Sequence, residues 1–255
     1  MRTAIIIPAR YASSRLQGKP LLRSTGKYLV QHVYERACQA RRADTVVVAT
    51  DDPRIAAAVE SFGGKCAMTR RDHPSGTDRV AEVAAKLDAD VIVNLQGDEP
   101  QIDPDAIDRL PDLLDQDREA VMATLAAPIT CEATYRDPNC VKVVRDVRGR
   151  ALYFSRSPIP FVRDGKPDFG GRPVQFLQHI GLYAYRREFL LQLAAQPPAP
   201  LEEAEKLEQL RVLSLGRPVQ VGVVGHAARG VDTFEDYQRF LMAYSSRPVD
   251  LAHAA

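Results

Sequence analysis

Very little in this chain of 255 residues is lopsided. Its 34 basic and 33 acidic residues leave a formal net charge of +1. No bulk field therefore draws it toward nucleic acid or an anionic membrane, and any anion site must be local. Four cysteines, Cys38, Cys66, Cys131 and Cys140, show neither C-x-x-C nor paired spacing. That argues against a zinc framework or a disulfide scaffold. No apolar run approaches a membrane span, and no h-region follows Met1-Arg2, so a cytoplasmic protein is expected. Internal repeats and low-complexity tracts are missing. Two familiar phosphate motifs are missing too. No G-x-G-x-x-G follows the first strand. Gly18-Lys19 runs into Pro20 and Gly26-Lys27 into Tyr28, so neither lysine has the Ser/Thr of a P-loop behind it.

What is present is an ordinary globular composition, 45% hydrophobic and 26% charged, long enough for one large α/β domain or one domain with a sizeable insert. The first 125 residues alternate strand and helix. Strands are expected at 4–7, 45–49, 65–68 and 91–95, and helices at 29–41, 53–62 and 77–87. Asp52 and Pro53 open the second helix, and Gly63-Gly64 stops it. Repeated β-α-β units of this kind make a mostly parallel, doubly wound sheet with helices on both faces. The pattern then changes. Strands are expected at 122–129, 141–145, 151–155, 179–185 and 219–224, with a hairpin turn at 146–150 and a long surface loop at 162–175. Helices are expected at 187–195, 201–215 and 233–244.

The most informative stretch is Ile5-Ile6-Ile7-Pro8-Ala9-Arg10 through Arg15, Gly18, Lys19 and Pro20. A β-branched run reads as a buried strand, and three cations gather in the loop behind it. Open α/β sheets bind ligands beyond the carboxyl ends of their strands, so Arg10, Arg15 and Lys19 are read as a triphosphate site built from side-chain cations. Asp98, in Gln96-Gly97-Asp98-Glu99-Pro100, and Asp232, in Gly230-Val231-Asp232-Thr233, stand at two further strand ends. Two acids near a phosphate site suit Mg²⁺, which takes one or two carboxylates together with phosphate oxygens and water. Taken alone, Asp98 reads equally as a turn residue and Asp232 as the cap of the last helix. Ser75-Gly76-Thr77-Asp78-Arg79 reads as a helix start whose open amides can meet an anion or a base edge. His73, just before it, is expected to be solvated surface. Taken alone, Arg156, His179, Glu208 and Gln209 read as a surface cation, a core histidine and an exposed helix face.

These segments together resemble the 3-deoxy-manno-octulosonate (Kdo) cytidylyltransferase family, or CMP-Kdo synthetases. The family's first motif reads close to P-A-R-x-x-S-x-R-x-x-G-K-P, and S-G-T-[DE]-R, Q-G-D-E-P, F-S-R, H-x-G-x-Y, L-E-Q-L-R and G-V-D-T also match here in order. Gln17 stands where the family usually has proline, and Tyr28 where proline often follows the second Gly-Lys. The resemblance implies a nucleotide-diphospho-sugar transferase-like fold. Its nucleotide-binding core would span 1–125 and 218–245, and a sugar-binding subdomain with a smaller mixed sheet would span 126–217. It implies an enzyme that joins CTP and Kdo into CMP-Kdo and pyrophosphate for lipopolysaccharide biosynthesis. Lys19, Arg10, Asp98 and Asp232 would be catalytic, and Asp98 and Asp232 would hold Mg²⁺ between the α-phosphate and the attacking hydroxyl. Arg10, Arg15, Lys19, Ser75, Gly76, Thr77, Asp78 and Gln96 would bind CTP. Arg156 would pair with the substrate carboxylate, since a guanidinium fork matches it bidentately. His179, Tyr183, Glu208 and Gln209 would bind sugar hydroxyls. A homodimer is implied, with neither nucleic acid nor membrane as partner. CMP-sialic acid synthetase, an 8-amino-Kdo cytidylyltransferase and a non-catalytic nucleotide sensor are the alternatives.

Overall fold

A computed structural model describes residues 1–12, 16–170, 175–227 and 230–245. The expected phosphate-site residue Arg15 and part of the 162–175 loop lie outside the described residues, as does the chain beyond Ser245.

Four parallel strands begin the sheet: β1 (Thr3–Ala9), β2 (Thr45–Thr50), β3 (Cys66–Met68) and β4 (Val91–Asn94). Between them run α1 (Leu29–Ala37), α2 (Pro53–Ser61) and α3 (Gly76–Ala84). The Asp52 side chain caps α2 by accepting from the Arg54 amide, as its position before Pro53 suggested. Next come α4 (Pro104–Gln116), β5 (Met122–Pro128) and α5 (Glu132–Arg136). The β6 (Lys142–Arg145) and β7 (Ala151–Ser155) hairpin leads to β8 (Leu177–Arg186) and α6 (Arg187–Ala194). The short α7 (Pro200–Glu205) and α8 (Gln209–Ser214), β9 (Val219–Val223) and α9 (Phe234–Ser245) complete the described chain.

All these strands belong to one nine-stranded sheet, ordered β3-β2-β1-β4-β8-β5-β9 along its main path. Strand β8 runs antiparallel to both β4 and β5, while β5 and β9 are parallel. The smaller mixed sheet expected within 126–217 is continuous with the main one, because β8 is a central strand of it. Alternate side chains of β1 go to opposite faces. Ile5 and Ile7 join Val33, Val59 and Leu110 of the α1, α2 and α4 layer. Ala4 and Ile6 join Val80, Leu190 and Leu210 of the α3, α6 and α8 layer. Each fully buried aliphatic side chain contributes about 1.5–3 kcal/mol relative to exposure. The doubly wound reading of the sequence therefore holds.

Several helices differ from expectation. Helix α4 was not anticipated: its Asp103 cap and Pro104 repeat the α2 signal, but Pro111 lies inside the helix, where proline usually breaks one. The single helix expected at 201–215 is two, broken at Lys206, whose φ of 53° is left-handed. The break is capped from outside. The Arg156 guanidinium donates from Nε to the Glu205 carbonyl (2.7 Å) and from Nη2 to the Lys206 carbonyl (3.4 Å), satisfying carbonyls that end a helix. The helix expected over 29–41 stops at Ala37.

Strand β8 also leaves part of one edge unpaired. β4 covers one of its edges at Tyr183–Arg186, and β6 covers the same edge at Leu177–Gln178. Between those two partners the edge is open, and there the register with β5 slips, so that Thr124 faces Tyr183 while Leu125 faces Ile180. Gly181 and Leu182 form the bulge. The Thr124 hydroxyl lies 3.1 Å from the Ile180 carbonyl and 2.9 Å from the Leu182 carbonyl, serving acceptors that the ladder leaves open.

In the layer of α1 and α4, the buried carboxylate of Asp108 on α4 accepts from the Arg41 amide (3.0 Å) and the Arg42 amide (2.8 Å). Asp108→Ala leaves both amides without an acceptor and should lower unfolding free energy by about 2–3 kcal/mol. Urea denaturation checks this. Activity per folded molecule should be unchanged, because the substitution is remote from the carboxyl ends of the parallel strands.

Candidate active site

At the end of β1, the chain turns back on itself. Gly18 adopts a left-handed φ of 68°, and its amide donates to the Tyr11 carbonyl at 3.0 Å. A single 3-10 turn over Lys19–Leu21 follows, with Pro20 buried. This aims Lys19 across the sheet edge. Its ammonium donates to Asp98 Oδ2 at 2.8 Å and to Asp232 Oδ1 at 3.3 Å. Three expected residues from three distant segments thus meet.

Close backbone approach makes the meeting possible. A Cβ on Gly97 would lie 3.0 Å from the Pro8 carbonyl oxygen, so the residue before Asp98 must be small for the β1 and β4 ends to touch. The Val231 amide donates to the Asp98 carbonyl at 2.7 Å, fastening the two acid-bearing loops together. Asp232 does not cap α9. Thr233 and Asp236 do that: the Thr233 hydroxyl accepts from the Asp236 amide, and the Asp236 carboxylate accepts from the Thr233 amide at 2.8 Å. The Asp232 carboxylate is thereby available to Lys19. Tyr237 and Phe240 of α9 pack with Leu29 and Val231, which anchors this loop to α1.

Two carboxylates on a cavity wall, already drawn to one cation, fit a magnesium ion that takes its remaining ligands from phosphate and water. Among the described residues no three His, Cys, Asp or Glu side chains converge as a metal cage. Glu99, the neighbour of Asp98, was not singled out from the sequence. Its Oε2 is buried with no hydrogen-bond partner among the described residues. Burial, and then the charge of Asp98, push its carboxyl up to about 8. That shift favours the protonated form of Glu99 at neutral pH.

Three cavities join around Gln96. One of about 250 Å³ is lined by Arg10, Lys19, Gly97, Asp98 and Asp232. It shares Pro8, Ala9 and Arg10 with a second, of about 280 Å³, lined also by His73, Ser75, Gly76, Arg79 and Glu208. At this second cavity the Ser75 hydroxyl caps α3, accepting from the Asp78 amide at 3.2 Å, and the first-turn amides of Gly76 and Thr77 have no intrahelical acceptor. The side chain of Gln96 is steadied through Asn94, which in turn donates to Thr77 Oγ1 at 3.4 Å.

Two expectations change here. His73 is not solvated. Its side chain is 4% exposed and bonds Glu82 Oε2 at 2.5 Å. That bond, foremost, holds the Glu82 carboxyl below its usual range. Asp78 lines none of these three cavities directly: its carboxylate accepts from the Ser75 hydroxyl at 2.7 Å, and it lines a neighbouring cavity beside Arg211 and Glu202 that shares Ser75 and Glu208 with the second. Arg79, by contrast, is buried, with Nη1 on Thr69 Oγ1 and 3.3 Å from Asp51 Oδ1.

The third cavity, about 460 Å³, lies over the open edge of β8. Gly181, Tyr183, Arg156, Glu208 and Gln209 line it together with Gln96. The Tyr183 hydroxyl donates to Gln209 Oε1 at 3.4 Å, and burial raises its pKa well above the ordinary value. Glu208 is open to solvent on its outer side, yet burial of its carboxyl within the cleft raises its pKa. Arg156 differs from the free fork expected of it. Besides its two contacts at the α7 end, Nη1 donates to the Pro138 carbonyl at 3.0 Å, so two of its five N–H groups remain for a ligand. His179 does not line this cavity. Its ring stacks edge-on against Phe154 at 4.9 Å, and its Nε2 meets Thr124 Oγ1 at 2.9 Å. The threonine proton serves the bulge carbonyls, so Nε2–H of the imidazole is assigned as donor. Burial lowers its pKa to about 3.

A cationic loop, two strand-end acids and an open helix N-terminus around one cleft in a doubly wound sheet define a nucleotidyltransferase. The comparisons agree. The Cytidylyltransferase family model matches residues 4–219. A 3-deoxy-manno-octulosonate cytidylyltransferase of Geotalea daltonii is 51% identical over 252 residues, covering 97% of this chain and 100% of the relative. One from Syntrophotalea carbinolica is 52% identical, covering 94% and 97%. A solved structure of CMP:2-keto-3-deoxy-manno-octonic acid synthetase complexed with CTP is 46% identical with a TM-score of 0.89, covering 96% of this chain and 100% of that one. The chain belongs to the 3-deoxy-manno-octulosonate cytidylyltransferase family.

His179 generates a prediction. With its pKa depressed in the native state, the unfolded chain binds the extra proton between the unfolded pKa of about 6.5 and about 3. This group's contribution to stability is thus complete above the unfolded value and is lost as pH falls through that window. Nitrogen-correlated NMR should show a neutral, Nε2-protonated ring that does not titrate between about pH 5 and 8. Titration near the ordinary histidine value would contradict the assignment.

Proposed function

We propose that this chain transfers the cytidylyl group of CTP to the anomeric 2-hydroxyl of Kdo. The hydroxyl oxygen attacks the α-phosphorus in line. The bond to the bridging oxygen of the β-phosphate breaks, pyrophosphate departs, and the hydroxyl proton is lost to solvent. The observation that carries this reading is the continuity of the cleft around Gln96. The phosphate-holding charges stand on one side, and a cavity with Arg156, Tyr183, Glu208 and Gln209 stands on the other.

Arg10 and Lys19 hold the triphosphate and offset charge that builds on the leaving pyrophosphate, joined in this reading by Arg15. Phosphoryl-type transfer needs positioning and charge neutralisation more than covalent help. Ser75, Gly76, Thr77 and Gln96 face the nucleoside. Arg156 meets the sugar carboxylate with its two remaining N–H groups. Tyr183, Glu208 and Gln209 take sugar hydroxyls, and His179 acts from behind as the prop of the bulge that presents Gly181 and Tyr183. Asp98 and Asp232 are the residues to hold Mg²⁺, which when bound supplies positive charge to the phosphates and lowers the pKa of the attacking hydroxyl. No side chain stands out as a dedicated general base.

We read the enzyme as a cytoplasmic homodimer serving lipopolysaccharide synthesis. Exposed apolar side chains of Leu152 on β7 and of Phe161 support a partner surface. Among the described residues no helix is long and apolar enough to cross a membrane.

Pyrophosphate release from CTP should require Kdo and a divalent cation, and chelation should abolish it. Sialic acid and 8-amino-Kdo in place of Kdo give the specificity. Asp98→Asn should abolish turnover in a folded protein. Lys19→Ala should lower kcat by on the order of 10²–10³, the scale of losing one transition-state charge donor. Normal turnover in Asp98→Asn, or an effect of Lys19→Ala confined to Kdo affinity, would contradict these roles.

A further inference from the structure

Lys142, at the start of β6, is completely enclosed, yet no carboxylate pairs with its ammonium among the described residues. Its three N–H groups go to three main-chain carbonyls: Asp137 at 2.9 Å, Cys140 at 2.5 Å and Arg156 at 2.6 Å. Burial holds its pKa down. A charge kept in such a place is retained against desolvation only where all its donors are used.

The other side of Arg156 is gripped by Glu205. The Arg156 amide donates to Glu205 Oε2 at 2.9 Å, and the Ser155 hydroxyl donates to Glu205 Oε1 at 2.6 Å. Lys142 thus holds the carbonyl of Arg156 while Glu205 holds its amide. The guanidinium, fixed between them, terminates α7 at Glu205 and Lys206. Lys206 is the one non-glycine residue with a positive φ among the described residues. That turn delivers Glu208 and Gln209 to the cleft. Strain of this kind persists where surrounding contacts over-determine it, and it collects at functional sites.

We propose that Lys142 and Glu205 clamp Arg156 from opposite sides and so act as positioning residues for the acceptor sugar acid. This rests on the reading above, in which Arg156, Glu208 and Gln209 meet Kdo. Neither clamp residue lines the two nucleotide-side cavities.

The test is steady-state kinetics of Lys142→Met and Glu205→Gln, varying CTP and Kdo in turn. Each variant should raise KM for Kdo at least about tenfold and leave KM for CTP within about twofold, because only the acceptor side loses its geometry. The double variant should cost less than the product of the two single effects, since both hold one residue. Equal changes in both KM values, or a lowered Tm with unchanged kinetics, would overturn the clamp. If Lys142→Met does not fold, the same split in Glu205→Gln decides. An unmodified enzyme that does not turn over Kdo would instead overturn the proposed function, and the clamp with it.

Discussion

The ammonium of Lys19 lies within hydrogen-bonding distance of two carboxylates that arrive from distant segments of the chain. The rest of the cleft depends on that contact. Unit charges 4 Å apart at a protein surface interact by about 4 kcal/mol, so Asp98 and Asp232 would repel each other without a cation between them. The fold enforces their approach through the Gly97–Pro8 packing and the Val231–Asp98 hydrogen bond. The lysine makes that approach tolerable. In the proposed reaction an arriving triphosphate competes for Lys19 and leaves two carboxylates in need of a cation. In that proposal, a site poised in this way would couple nucleotide binding to metal binding.

The second constraint is the antiparallel strand β8. A fully parallel sheet would close this edge with another β-α unit. Here β4 and β6 share one edge of β8 and leave a gap between them, with a bulge as its floor. The side proposed for the nucleotide is therefore built by parallel strand ends and an α-helix N-terminus. The side proposed for the acceptor is built by an open strand edge and an externally capped helix break. Gln96 lies where the two meet.

Much of this was legible in the sequence. Ile5–Ile7 announced a buried strand, and the cations after it pointed to the strand end where Lys19 meets Asp98 and Asp232. The acids of Q-G-D-E-P and G-V-D-T had to stand at strand ends once the β-α-β pattern was accepted. What was not legible came from contacts between distant segments. The helix break at Lys206 is imposed by Arg156, some 50 residues earlier, on a stretch whose leucines keep helical spacing. The Pro111 inside α4 is tolerated because packing outweighs local propensity. His73 looked like surface because nothing local to it reveals Glu82, one helix turn and more away. Lys142 gave no signal at all: a lone lysine in a β-branched strand reads as an exposed residue, and only the carbonyls converging on it explain its burial.

Coupled binding of nucleotide and metal is the claim on which the account turns, and it is tested most directly by measuring Mn²⁺ binding, with electron paramagnetic resonance as the readout, in the presence and absence of CTP. The account predicts that the enzyme with CTP binds Mn²⁺ more tightly than either alone. It also predicts that this gain disappears in Asp98→Asn/Asp232→Asn while CTP still binds. An undiminished gain in the double variant would contradict it.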